Sequence, residues 1–110
     1  MPGPTLDLDA FVQSLDASQP PITLNMALRA LWFDAKDKPE SALRAARADP
    51  SLACLRVLAY LQRKSGQDGA ARVSYWKAGA TPWEGDHESE WRDIVQSILV
   101  EFPVASAYGA

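Results

Sequence analysis

The segment 52–61, LACLRVLAYL, decides the fold of this 110-residue chain. Arg56 is its only polar residue, so a helix formed here is apolar on nearly every side. Such a helix is typical of the centre of a bundle, where other helices contact it from several directions. Gly66 follows the polar segment 62–65 and can adopt the left-handed conformation that commonly ends a helix. We therefore predict a central helix over 50–64.

Turn signals and apolar spacing on both sides of this helix predict five further helices. The clearest prediction is 87–102, where apolar residues recur at i, i+3, i+4 and i+7 from Trp91 to Phe102. Alanine, which has the highest helix propensity, accounts for 18 residues. The remaining helices are predicted over 5–17, 22–36, 39–48 and 69–78. The sequence therefore predicts a compact all-α bundle of five to seven helices, in a single domain over 1–110, with loose ends at 1–4 and 103–110.

Composition excludes several classes of protein. No apolar run approaches the ~20 residues that a membrane-spanning helix needs, so we expect no membrane insertion. Cys54 is the single cysteine, which excludes an internal disulfide, and the N-terminus has no signal-peptide pattern. These features predict a cytoplasmic protein. The isoelectric point of about 5.0 argues against nucleic-acid binding, which usually requires a basic surface.

Two segments of the chain follow the same plan, 29 residues apart. Ala30 and Ala42 in the first correspond to Ala59 and Ala71 in the second, and Asp37 corresponds to Gly66. Together they resemble tetratricopeptide repeats, in which alanines and a turn glycine allow two antiparallel helices to pack closely. The resemblance implies two helical hairpins over 22–79, capped by the helix over 87–102. Tetratricopeptide repeats are usually ~34 residues long, and Asp37 stands where the family has glycine.

A second resemblance covers the segment AYLQRKSG at 59–66, followed by Ala71, Tyr75-Trp76 and Ala78-Gly79. It is similar to a group of short bacterial proteins that have no characterised activity. Members of that group tend to carry histidine where this chain has Gln62. The resemblance implies a bacterial helical-hairpin domain and implies no catalytic residues.

Residues suited to catalysis are few. His87 is the only histidine, and the carboxylates around it lie at the start of a predicted helix, where they favour the helix dipole. Adjacent positions on a helix point in different directions, so these side chains do not converge on one ion. We expect no catalytic residues, no metal site and no cofactor.

Charge is distributed unevenly, because residues 36–72 contain eight basic and four acidic residues while both ends are acidic. In the central helix, Arg56, Tyr60 and Arg63 are spaced i, i+4 and i+7. Arg72 and Trp76 extend this pattern on the next helix, and arginine and aromatic residues are enriched at binding hot spots. The pattern predicts a binding surface, and the alternative is that the arginines pair with the protein's own acidic helices.

These observations favour a non-enzymatic domain that binds a protein, an acidic peptide or a second copy of itself. The alternative is small-molecule binding, or an enzymatic role, in a pocket near Trp83 and His87. Trp83 lies in a predicted loop, where it either plugs one end of the bundle or stands exposed as an anchor for a partner.

Overall fold

Short polar side chains begin four of the helices. Asp7, Asn25, Ser51 and Asp86 each accept a hydrogen bond from the backbone N–H three residues later, which satisfies a free donor at the helix N-terminus. The computed structural model describes residues 5–105, and over that range it contains six helices. They are α1 (Leu8–Ser14), α2 (Met26–Ala35), α3 (Pro39–Ala46), α4 (Leu52–Lys64), α5 (Asp68–Lys77) and α6 (His87–Glu101). The prediction of an all-α bundle of five to seven helices is confirmed.

Most helices are shorter than the apolar spacing predicted, and the capping residues explain where they start. The second helix was expected to begin at 22 but begins at Met26, because Asn25 caps it. The fourth begins at Leu52 instead of residue 50, because Ser51 caps it. Asp49 accepts a hydrogen bond from the Ser51 N–H and so supports this cap from outside the helix.

The two hairpins, α2–α3 and α4–α5, share one turn geometry. Asp37 and Gly66 both have positive φ, at 59° and 83°. After each of them, the next N–H bonds to the carbonyl five residues earlier, from Lys38 to Phe33 at 3.0 Å and from Gln67 to Gln62 at 2.8 Å. This is the hydrogen bond of a Schellman motif. The 29-residue spacing seen in the sequence is therefore matched by two equivalent turns.

The apolar helix α4 lies at the centre of the bundle, as the sequence predicts. It packs against α2, α3, α5 and α6. The main core forms between α1, α2, α3, α4 and α6, and Trp32 and Phe11 are among its fully buried side chains. Two indole N–H groups are satisfied inside it, because Trp32 donates to Ser14 and Trp91 donates to the Leu31 carbonyl.

Helix α6 closes one side of the bundle by packing against α1, α2 and α4. After it the chain is held in place, because Val104 is buried and its carbonyl accepts a 2.8 Å hydrogen bond from the Leu6 N–H. The sequence predicts a loose tail from residue 103, whereas Val104 packs against the bundle. Residues 1–4 and 106–110, also predicted to be loose, lie outside the described residues. Within 5–105, no helix has the length and apolar character needed to cross a bilayer.

Candidate functional site

A buried carboxylate lies at the junction of α4, α5 and α6. Glu90 of α6 has 0% of its surface exposed, yet both of its oxygens are bound. Arg56 Nη1 lies 2.9 Å from Oε2, and Arg63 Nη1 lies 3.1 Å from Oε1. The Tyr75 hydroxyl of α5 donates to Oε2 as well. A buried charge is tolerated only when it is paired and hydrogen-bonded, and Glu90 meets both conditions. Because its partners lie on α4 and α5, this one side chain of α6 links three helices.

The Glu90 cluster extends to the loop before α6. Arg63 donates from Nη2 to the Gly85 carbonyl, and its Nη1 lies 3.0 Å from His87 Nδ1. Arginine can only donate, so Nδ1 accepts this hydrogen bond in the tautomer that carries its proton on Nε2. Burial, and after it the hydrogen bond to Glu90, raise the pKa of Tyr75 to about 12. The tyrosine therefore remains a neutral donor at physiological pH.

The predicted open face over Arg56, Tyr60 and Arg63 is wrong in its exposure. The two arginine side chains are only 17% and 22% exposed, because α6 lies over them and supplies Glu90. Tyr60 is 2% exposed, and its hydroxyl donates at 2.6 Å to Asp34 of α2. Arg56 and Arg63 instead pair with an acidic helix of the same chain, which was the alternative given in the sequence analysis.

Glu90 was not among the site residues predicted from the sequence, because carboxylates at the start of a helix favour the helix dipole and need no other role. The spacing did contain a signal, since Glu90 lies four residues before Ile94 and eight before Ile98, which are both buried. A carboxylate at such a position is oriented toward the core. The arginine stripe facing it on α4 would then have identified its partners.

Arg72 and Trp76, the other two candidates, lie on the outer side of α5. Of the described helices, α4 alone packs against α5, so the opposite side of α5 is uncovered. Trp76 is 79% exposed, while its neighbour Tyr75 is buried. Arg72, Val73, Trp76 and Lys77 are all exposed, and we call these four residues the α5 strip. Over residues 5–105, neither Arg72 nor Lys77 forms an ion pair.

A groove lies beside the end of α5, between the start of α4 and the C-terminal half of α6. Its volume is about 430 Å³. Leu52, Ile98 and Phe102 supply apolar surface. Arg56 also lines the groove, but its charge is already paired with Glu90. Asp93 and Glu101 supply negative charge. Neither carboxylate forms an ion pair with any residue from 5 to 105. We call this feature the acidic groove.

A second cavity, of about 300 Å³, lies next to His87. Its apolar wall includes Trp91 and Leu15, and its polar lining includes Lys64 and Asp34. Lys64 and Asp34 are 3.0 Å apart and bind each other. Trp83 does not line this cavity, so the two residues predicted to share a pocket are separated.

Trp83 packs instead against Ala59, Ala71 and Tyr75 of the α4–α5 hairpin. It is half-buried and therefore does not stand out as an exposed anchor. A Cβ atom at Gly85 would lie 2.8 Å from the indole Nε1, so the close approach of the loop requires glycine there. Within the described part of the chain, this buried Nε1 has no hydrogen-bond partner.

Groups suited to metal binding or nucleophilic chemistry are not gathered in the described range. Between residues 5 and 105, no three His, Cys, Asp or Glu side chains are grouped so as to hold an ion. Cys54 is buried, and burial raises the pKa of its thiol to about 11. The thiol is therefore neutral at physiological pH and a poor nucleophile.

Comparison with known proteins adds no relative to this description. No protein-family model matches the chain, and neither a curated protein nor a solved structure is similar to it.

Proposed function

We propose that this chain is a non-enzymatic interaction domain that binds an acidic, partly apolar protein segment along the α5 strip. The observation that carries the proposal is Trp76, a tryptophan with 79% of its surface exposed. It lies on a helix that packs against α4 alone among the described helices. Burying an indole of this size removes a large apolar area from water, which makes tryptophan a frequent hot-spot residue.

The charges beside Trp76 support an acidic partner. Arg72 and Lys77 are exposed, and within residues 5–105 no carboxylate pairs with them. Arginine can bind a carboxylate through two parallel hydrogen bonds, and lysine adds a point charge. Arg56 and Arg63 are excluded from this role, because Glu90 already binds both of them. The proposed site is therefore smaller than the one expected from the sequence, and it is confined to α5.

The wider classification belongs to the same proposal. Two equivalent Schellman turns, at Asp37 and Gly66, support a tetratricopeptide-like plan, and proteins built from such repeats commonly present helical surfaces to partners. A bacterial origin and a cytoplasmic location remain proposals that follow from the sequence.

Small-molecule binding is the second candidate function, and the cavity beside His87 favours it. Its apolar wall suits a small ligand, and His87 Nε2 is free to donate because Nδ1 already accepts from Arg63. We rank this function below partner binding. Lys64 pairs with Asp34 and Arg92 pairs with Glu88 in the cavity wall, so these four charges leave no net charge there to attract a charged ligand.

Selection of displayed random peptides on the immobilised protein tests the proposed function. We expect the selected peptides to be enriched in Asp and Glu next to aromatic or aliphatic residues. Trp76→Ala combined with Arg72→Glu should abolish their binding. The matched control combines Ile22→Ala and Arg44→Glu, which alter an exposed apolar residue and an exposed arginine elsewhere, and it should bind as the wild type does. Peptides that bind both variants equally would overturn the proposal.

A further inference from the structure

The α5 strip and the acidic groove are chemically complementary. The strip has an apolar centre at Trp76 and Val73 with two unpaired cations. The groove has an apolar floor with two unpaired anions, Asp93 and Glu101. Opposite charges around apolar surfaces are the arrangement by which two protein patches recognise each other. Each patch thus carries what the other lacks.

The two patches also adjoin each other on one molecule. Ala78, the C-terminal cap of α5, lines the acidic groove, so the strip ends where the groove begins. A two-fold axis beside this junction would bring the strip of each copy to the groove of the other. Such an interface is closed, and it pairs the two cations of the strip with the two anions of the groove once in each half. A bend in α5 that brought its own strip into its own groove would break the helix.

From this complementarity we infer that the partner of the α5 strip is the acidic groove of a second copy of this chain. Two copies form a symmetric dimer in which Trp76 of each enters the apolar part of the other's groove. Arg72 and Lys77 then meet Asp93 and Glu101. The inference rests on the proposed function, because it uses the same strip, and it adds the identity of the partner.

Sedimentation of the full chain over a concentration series tests the dimer. Between about 1 µM and about 1 mM, a range that covers ordinary dissociation constants, we expect the mass to rise from 12.0 kDa to twice that value. Trp76→Ala should weaken the dimer by about 30-fold or more, as expected for a hot-spot residue. Ile22→Ala, at an exposed residue that belongs to neither the strip nor the groove, should leave the dissociation constant unchanged.

Reversal of the charges on the strip or in the groove distinguishes this specific pairing from non-specific association. One variant carries Arg72→Glu and Lys77→Glu, and the other carries Asp93→Lys and Glu101→Lys. In each variant alone, the strip and the groove carry charge of the same sign, so two copies repel each other at both halves of the interface and should remain monomeric. Mixed together, they present opposite charges at both halves and should form a heterodimer. All four positions are exposed, so thermal melts should show both variants folded.

Several outcomes overturn the inference. A wild type that remains monomeric throughout, or a mixture that does not associate, excludes this interface. A mass that rises beyond two chains excludes the closed symmetry. If the chain is monomeric but the selected acidic peptides still require Trp76, the inference fails and the proposed function stands. If those peptides are also absent, both fail.

Discussion

The two hairpins share a turn but are attached to the bundle by different chemistry. In α2–α3, both helices contribute to the main apolar core, and α3 packs against α4 as well as against α2. In α4–α5, the outer helix contributes only Ala71 and Tyr75 to a small separate cluster. Its link to α6 is polar, through the Tyr75 hydroxyl and Glu90.

This difference leaves α5 with an uncovered side, which is where the proposed binding surface lies. The outer helix of the first hairpin is buried on two sides, whereas α5 is buried on one. A polar link also depends on every partner in it, because removal of one group leaves the others buried and unsatisfied. We therefore expect the second hairpin to be sensitive to single polar substitutions and the first to loss of apolar volume.

Glu90→Ala should produce the largest effect. It leaves Arg56 and Arg63 close together without a counter-ion, so the free energy of unfolding should fall by about 3–5 kcal/mol. Urea denaturation measures this change. Amide hydrogen exchange in α5 should increase more than exchange in α3, because Glu90 is the link between α5 and α6.

Glu88→Ala is the matched control, since it removes a carboxylate from the same helix. Glu88 is 78% exposed and lies 3.5 Å from Arg92, so solvent screens the pair and the loss should be much smaller. Equal effects of the two substitutions would mean that Glu90 does not hold the second hairpin.

Leu28→Ala should destabilise the first hairpin through the cavity it leaves. Leu28 is fully buried in the main core, and such truncations cost about 2–5 kcal/mol. Ile22→Ala, at a residue that is 87% exposed, serves as the control and should change little. A small effect of Leu28→Ala in urea denaturation would contradict the contrast between an apolar and a polar attachment.

Substitutions in the two Schellman turns, at Asp37 and Gly66, should have the smallest effects on stability. Gly66→Ala places a Cβ atom in the left-handed region and should cost about 1 kcal/mol. No atom lies within 4 Å of that Cβ, so this cost is conformational and not steric. Asp37→Gly should change the stability by less, because relief of backbone strain is offset by the greater freedom of glycine in the unfolded chain. Thermal melts compare the two, and a neutral Gly66→Ala would contradict a left-handed turn there.

The sequence alone predicted much of the fold, because the relevant signals are local. The spacing within 87–102 identified α6, and the apolar run at 52–61 identified the central helix. Asp37 was aligned with Gly66 even though it is not glycine, and both residues have positive φ, as does Gly79 at the end of α5. Each of these features depends on residues within one or two helical turns.

The candidate site was predicted only in part. Arg72 and Trp76 were predicted to lie on a surface, and both are exposed on α5. The arginines of α4 were expected on the surface, because a polar stripe on an otherwise apolar helix normally faces water. The structure covers that stripe with α6, whose inward carboxylate makes burial of the arginines tolerable.

The sequence by itself determined where helices form, where they end and how the hairpins turn, since capping, apolar spacing and left-handed turns act between near neighbours. The tertiary structure decided which charges are buried and which remain free. Arg56 and Glu90 are 34 residues apart, and neither segment reveals that the other will lie opposite. The burial of a charged group depends on the partner that packing brings to it, and that partner is defined only when the helices assemble.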